Sequence, residues 1–95
     1  MEIKINEYTF KCKEPSYIDE EKAISSIPGN IENHISYLTL RNRKMFIQCI
    51  TTIYVNDEEK NKEDYIESIP LRIIIAGTQE FVNKTDRVVE DLKKK

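Results

Sequence analysis

The chain is poor in several residue types, and each shortage narrows what it can be. Its 95 residues contain no tryptophan, 1 histidine, 2 cysteines, 2 glycines and 3 prolines. So few glycines and prolines argue against a disordered or loop-rich chain. Two cysteines far apart, without a Cys-x-x-Cys pair, argue against a disulfide framework and are typical of reduced thiols in a cytosolic protein. The sequence therefore predicts an ordered protein of the cytoplasm.

Charge and hydropathy exclude further classes. The chain has 15 basic and 17 acidic residues, a formal net charge of −2, so no overall field attracts nucleic acid or anionic lipid. No apolar run approaches the ~20 residues that span a bilayer, and no secretion signal opens the chain. The basic residues 41–44, with Tyr37 one turn before them, could contact phosphate and stack a base. Such a run is more often the solvated face of a helix, so nucleic-acid binding is disfavoured.

We expect one domain over residues 1–95, of the α+β class with helices dominant. Near the start, apolar residues alternate with polar ones in two short runs, which is the signature of a two-stranded β-hairpin. These residues are Ile3 and Ile5, then Tyr8, Phe10 and Cys12. Three to four helices should follow the hairpin.

The first helix has clear boundaries. Pro15 cannot continue a strand ladder because it lacks an N–H, and Ser16 with Asp19 three residues later predicts a capping box. The segment Pro28-Gly29-Asn30 ends this helix, and Asn30 is predicted to cap the next one. The apolar residues of the first helix are Tyr17, Ile18, Ile24 and Ile27.

The second helix is predicted from an apolar stripe over residues 31–53. Residues 41–44 interrupt the stripe, so this is either one long helix or two helices hinged near Asn42. Residues 46–55 are rich in β-branched side chains, which leaves a strand as the alternative there. The helix is favoured.

The remainder predicts a solvated loop over residues 56–62, a helical turn ending before Pro70, and a long last helix. Gly77 inside that helix indicates either a kink or the close approach of another helix. The stripe of the last helix consists of Leu71, Ile74, Thr78, Phe81, Thr85, Val88 and Leu92.

The residues that could support catalysis are few. His34 is the only histidine and has no second ligand at metal spacing, while Cys12 and Cys49 lie on apolar faces and are expected to pack in the core. Two glycines leave no phosphate-binding loop. We therefore predict no catalytic residue, no cofactor, no metal site and no enzymatic activity.

Two short motifs resemble a known family. The first motif, Glu14-Pro15-Ser16 followed by Asp19, lies between the predicted hairpin and the first helix. The second has the sequence Asp-Tyr-Ile-Glu-Ser-Ile-Pro-Leu over residues 64–71. Together with the hairpin and the aliphatic central helix, they resemble the small tail assembly chaperones of tailed bacteriophages.

The resemblance implies a protein without an active site, mainly helical behind its hairpin, that acts in the host cytoplasm. Members of that family are thought to keep the tape measure protein soluble and to recruit tail tube subunits. A homo-oligomer is also expected, because a small domain with broad apolar stripes tends to bury them in copies of itself. The candidates for binding the partner, each of which could equally be core, are Met45, Phe46, Ile50, Ile74, Phe81 and Val82.

Two other functions stay open. The chain could be a small structural protein of the tail or baseplate that remains in the particle. It could also be a phage-encoded inhibitor of a host factor that uses residues 57–63 as an acidic decoy.

Overall fold

Four strands form one antiparallel sheet in the order β1-β2-β3-β4, and the computed structural model describes residues 1–29 and 33–93 of the chain. The strands are β1 Glu2–Ile5, β2 Tyr8–Cys12, β3 Ile50–Val55 and β4 Glu58–Lys60. The helices are α1 Tyr17–Ser25, α2 His34–Cys49, α3 Lys62–Tyr65 and α4 Leu71–Lys93, and a 3-10 turn covers Ile66–Ser68. The α+β class with dominant helices is confirmed.

The N-terminal hairpin and the start of α1 are as predicted. Ile3 pairs with Phe10 across the hairpin, and both are buried. The Ser16 side chain accepts a hydrogen bond from the Asp19 N–H at 3.4 Å, and Asp19 Oδ2 accepts one from the Ser16 N–H at 2.9 Å. This reciprocal pair is the capping box.

The sheet has four strands rather than the predicted two. Residues 50–55 were favoured as helix, but α2 ends at Cys49 and the chain enters β3 directly at Ile50. The Lys13 N–H donates to the last helical carbonyl, that of Cys49, at 3.0 Å. The β-branched residues of β3 pair with β2, so the strand tendency of this segment prevails over the helical spacing.

The predicted loop over residues 56–62 is also wrong. Asn56 and Asp57 both have positive φ, 52° and 64°, and form a two-residue turn between Val55 and Glu58. This is the hairpin turn that Asn and Asp favour. It brings β4 back along β3, and Asn61 then caps α3 by accepting from the Asp64 N–H at 3.2 Å.

Helix α2 is one continuous helix, without a hinge at Asn42. It begins at His34 because the Asn33 side chain accepts from the N–H groups of Ile35 and Ser36. The predicted cap Asn30 lies outside the described residues.

The last helix begins where Pro70 predicts. The Pro70 carbonyl accepts from the N–H of Ile73 and of Ile74, and Leu71 is the first helical residue. The side chains of Val88 and Leu92 lie outside the described part of the chain, so the stripe can be followed only as far as Thr85.

Helix α1 buries a different face from the one its apolar residues suggest. Its buried residues are Asp19 and Ala23, whereas Tyr17, Ile18 and Ile24 are exposed. The helix is held by its cap and by packing on α2 rather than by a broad apolar face.

A row of aromatic rings crosses the core from the sheet to α4. The ring of Phe46 on α2 meets Phe10 of β2 edge-on, with 5.3 Å between centroids, and meets Phe81 of α4 at 5.7 Å. In such edge-on and tilted pairs the rings pack closely, and the positive edge of one ring lies near the negative face of the other, which stabilises the pair. Phe46 therefore connects the sheet with α4.

Gly77 marks a close helix approach, one of the two interpretations of its sequence position. A Cβ atom built there would lie 2.7 Å from Cζ of Phe46 and 2.8 Å from its Cε2. Phe46 is fully buried, so its ring has little room to move. Only a glycine leaves space for this ring.

We expect Gly77→Ala to lower the free energy of unfolding by about 1 to 3 kcal/mol, because overpacking outweighs the gain of ~1 kcal/mol in helix propensity. Urea unfolding followed by circular dichroism measures this. Gly29→Ala is the matched control, because a Cβ there meets nothing within 4 Å. The double variant with Gly77→Ala and Phe46→Leu should lose less stability than the two single variants together, because the smaller side chain leaves room for the new Cβ. Fully additive losses of unfolding free energy would contradict the contact.

Candidate functional site

The single histidine and the two cysteines do not form one site. His34 is exposed at the start of α2, and Cys49 ends the same helix, about 22 Å away along its axis. Among the described residues, no group of three His, Cys, Asp or Glu side chains could hold a metal ion. In the same part of the chain, no helix is long and apolar enough to cross a membrane.

Cys12 and Cys49 are both buried free thiols. Burial raises the pKa of Cys12 to about 12 and that of Cys49 to about 11. Because the thiolate is the nucleophile and the metal ligand, these cysteines are inert at neutral pH in the folded protein. Both act as small core side chains, as their positions in the sequence predict.

Asp19 is the one buried charged side chain among the described residues, with 2% of its surface exposed. Its pKa lies well below the ordinary 3.8, first because the Ser16 N–H donates to it and then because Lys13 Nζ lies 2.9 Å from Oδ1. The Ser16 hydroxyl also donates to Oδ2, at 3.0 Å. All its partners come from the two segments that it joins, so Asp19 fixes the end of β2 to α1.

One concave surface lies between α2 and α4. A cavity of about 430 Å³ opens there, and we call it the α2–α4 groove. Its lining residues from α2 are Thr39, Asn42 and Arg43, and those from α4 are Ile75, Thr78, Gln79, Val82 and Asn83. The side chain of Ile35, one turn before Thr39 on the same face of α2, is 75% exposed.

A second apolar row runs along α4 beside the core row, and two of its members, Ile75 and Val82, line the groove together with the polar residues Gln79 and Asn83. Leu71, Ile75, Thr78 and Val82 recur at spacings of four, three and four, which places them on one face. Leu71 is 59% exposed and Ile75 39% exposed. The Thr78 hydroxyl donates to the Ile74 carbonyl at 2.7 Å, so its one hydrogen is used within the helix.

A second cavity, of about 380 Å³, continues past Asn42 and Val82 towards α1. Met45 and Phe81 line it, and Tyr17 of α1 borders it with 74% of its surface exposed. Asn42 and Val82 line both cavities. The two cavities are therefore neighbours along the contact between α2 and α4.

The six residues predicted to bind the partner separate in the structure. Five of them, Met45, Phe46, Ile50, Ile74 and Phe81, are buried in the core, which is the alternative that their apolar positions left open. Val82 is half-buried and lines the groove. Leu71 and Ile75 were missed as candidates, although their spacing to Val82 carries the signal.

The basic cluster at residues 41–44 is partly occupied by contacts within the chain. Arg41 forms an ion pair with Glu20 of α1, and its Nη1 donates to Asn42 at 3.0 Å. All four side chains are half-buried rather than solvated. The acidic residues of segment 57–63 lie in the turn, β4 and α3, and all four are exposed: Asp57, Glu58, Glu59 and Glu63.

No family model, no curated protein and no solved structure matches this chain.

We expect Asp19→Asn to lower stability at pH 7 by about 1 to 2 kcal/mol, through weaker hydrogen bonds from Ser16 and a lost ion pair with Lys13. The folded pKa is depressed, so this contribution is full above the unfolded pKa, about 4, and is lost as the pH falls further. The stability difference between wild type and variant should therefore shrink below pH 4 in urea titrations. Glu21→Gln, an exposed carboxylate on the same helix, is the control; a pH-independent difference would contradict the assignment.

Both thiols should resist alkylation in the folded protein. With iodoacetamide at pH 8 we expect no modified cysteine by intact mass in native buffer and two in denaturant, because burial keeps both thiols protonated. Rapid labelling of either cysteine under native conditions would show that the core opens there.

Proposed function

We propose that this protein is a non-enzymatic tail assembly chaperone of a tailed phage. In this proposal it binds a helical segment of the tape measure protein in the α2–α4 groove, helps to recruit tail tube subunits, and acts in the host cytoplasm.

The exposed apolar row on α4 is the observation that supports this proposal most strongly. Ile75 and the half-buried Val82 line the groove, and Leu71, one turn before Ile75, is exposed, although the same helix already has a core row through Ile73, Ile74 and Phe81. An amphipathic helix binds by laying its own apolar face into such a groove. A partner helix would contact the row with residues spaced at three and four.

The dimensions fit a short helical segment. Leu71 and Val82 are eleven residues apart, which is about 16 Å along α4, or roughly three helical turns. The second cavity shares Asn42 and Val82 with the groove and adds the exposed side chain of Tyr17. A long helical partner could therefore be held along the whole contact between α2 and α4.

The resemblance to tail assembly chaperones supports the identity of the partner. Its two motifs coincide with two helix boundaries: Ser16 and Asp19 cap α1, and Pro70 precedes α4, which forms one wall of the groove. Both motifs therefore have structural tasks in this chain.

We expect Ile75→Asp to abolish capture of the tape measure protein when the two are co-expressed, while the variant stays folded. A charge in the groove must be desolvated when an apolar helix covers it, which disfavours binding by several kcal/mol per ion. Pull-down yield and the soluble fraction of the tape measure protein are the measurements. Ile18→Asp is the matched control, because Ile18 is 40% exposed against 39% for Ile75 but lies on α1.

Wild type that neither binds nor solubilises the tape measure protein would contradict the proposal. Equal loss in both variants would place the binding surface elsewhere. Mass spectrometry of purified particles gives an independent check: stoichiometric amounts of this chain would indicate a retained structural protein rather than a chaperone.

A further inference from the structure

Strand β1 is an edge strand whose outer backbone is free to pair. The Met1 amino group donates to the Cys12 carbonyl at 2.8 Å, and the Cys12 N–H returns a bond to Met1 at 2.9 Å. Bonding direction alternates along a strand, so Ile3 also faces β2. The N–H and C=O groups of Glu2 and Lys4 therefore point away from the sheet, and no described strand pairs with them.

The side chains along this edge are self-complementary. Ile3 is 1% exposed and points into the core, while Glu2 and Lys4 lie exposed on the outer face with 3.5 Å between Oε1 and Nζ. Charged residues on an edge usually block pairing with another chain. Here the two charges have opposite signs and lie one residue on either side of Ile3. A second copy of the strand, running antiparallel and centred on Ile3, therefore places each charge opposite a charge of the other sign.

We propose that two copies of this chain pair through antiparallel β1 strands, with the two-fold axis at Ile3. Glu2 of each copy then lies opposite Lys4 of the other, and these two residues exchange both of their backbone hydrogen bonds. Ile3 meets its own copy in the non-hydrogen-bonded pair between them. The result is one continuous sheet across the dimer, and the interface is isologous.

The other edge strand does not offer the same match. If two copies of β4 paired antiparallel with the two-fold axis at the central residue, Glu59 would lie directly opposite Glu59 of the second copy. Like charges directly opposite each other are destabilising. The observations therefore favour β1, and because the contact spans only four residues the dimer is weak and reversible.

Charge reversal tests the pairing on the full chain. Sedimentation velocity over a concentration series up to about 1 mM should show a monomer and dimer equilibrium for wild type, a range that covers weak association. Glu2→Lys and Lys4→Glu should each raise the dimer dissociation constant at least about tenfold, because two pairs change sign at once. The double variant should restore wild-type association, and a mixture of the two single variants should form heterodimers. Circular dichroism confirms that each variant is folded.

A disulfide trap detects the dimer even when it is weak. Glu2→Cys mixed with Lys4→Cys should cross-link on mild oxidation, since directly paired residues have Cα atoms about 5.5 Å apart. Glu58→Cys mixed with Lys60→Cys is the control at the β4 edge and should not cross-link faster than random collision. A wild type that stays monomeric and untrapped, equal trapping at both edges, or species larger than a dimer would overturn the proposal.

Discussion

The contact between the Phe46 ring and the backbone of α4 at Gly77 determines how the helices lie on the sheet. One ring touches Phe10 of β2 and Phe81 of α4, and it fits only because position 77 lacks a Cβ. The row of α4 that contains Gly77 is thereby the one turned to the core. The adjacent row, with Ile75 and Val82, is left beside the cavity between the two helices.

Local signals predicted the parts of the fold whose interactions are local. The hairpin, the capping box at Ser16 and the start of α4 after Pro70 each depend on residues a few positions apart, and all three are confirmed. The end of α2 could not be read in the same way. Residues 50–55 fit both periods, and what makes them a strand is pairing with β2, which lies 38 (Cys12 to Ile50) to 47 (Tyr8 to Val55) residues earlier in the chain. Tertiary context decides such ambiguous segments.

The hairpin turn before β4 did carry a local signal. Asn and Asp tolerate positive φ, and Asn56-Asp57 lies between an apolar run and a polar one. The polar run hid the strand, because β4 is exposed and has no apolar alternation of its own. The buried face of α1 could not be predicted from apolar residues either. The buried side chain of Asp19 is charged, and its hydrogen bonds rather than its hydropathy hold it there.

The candidate site shows the limit of apolar periodicity most clearly. Helix α4 has two apolar rows, and periodicity alone does not indicate which of them faces the core. The space that the Phe46 ring requires at Gly77 decides which row is buried. Full burial of a Leu or Ile side chain stabilises by about 1.5 to 3 kcal/mol, and at Leu71 and Ile75 much of that remains unrealised in the folded chain. Single exposed apolar residues need no explanation, but a regular row beside a groove is different. Its apolar surface is left over after the core row of the same helix has been buried.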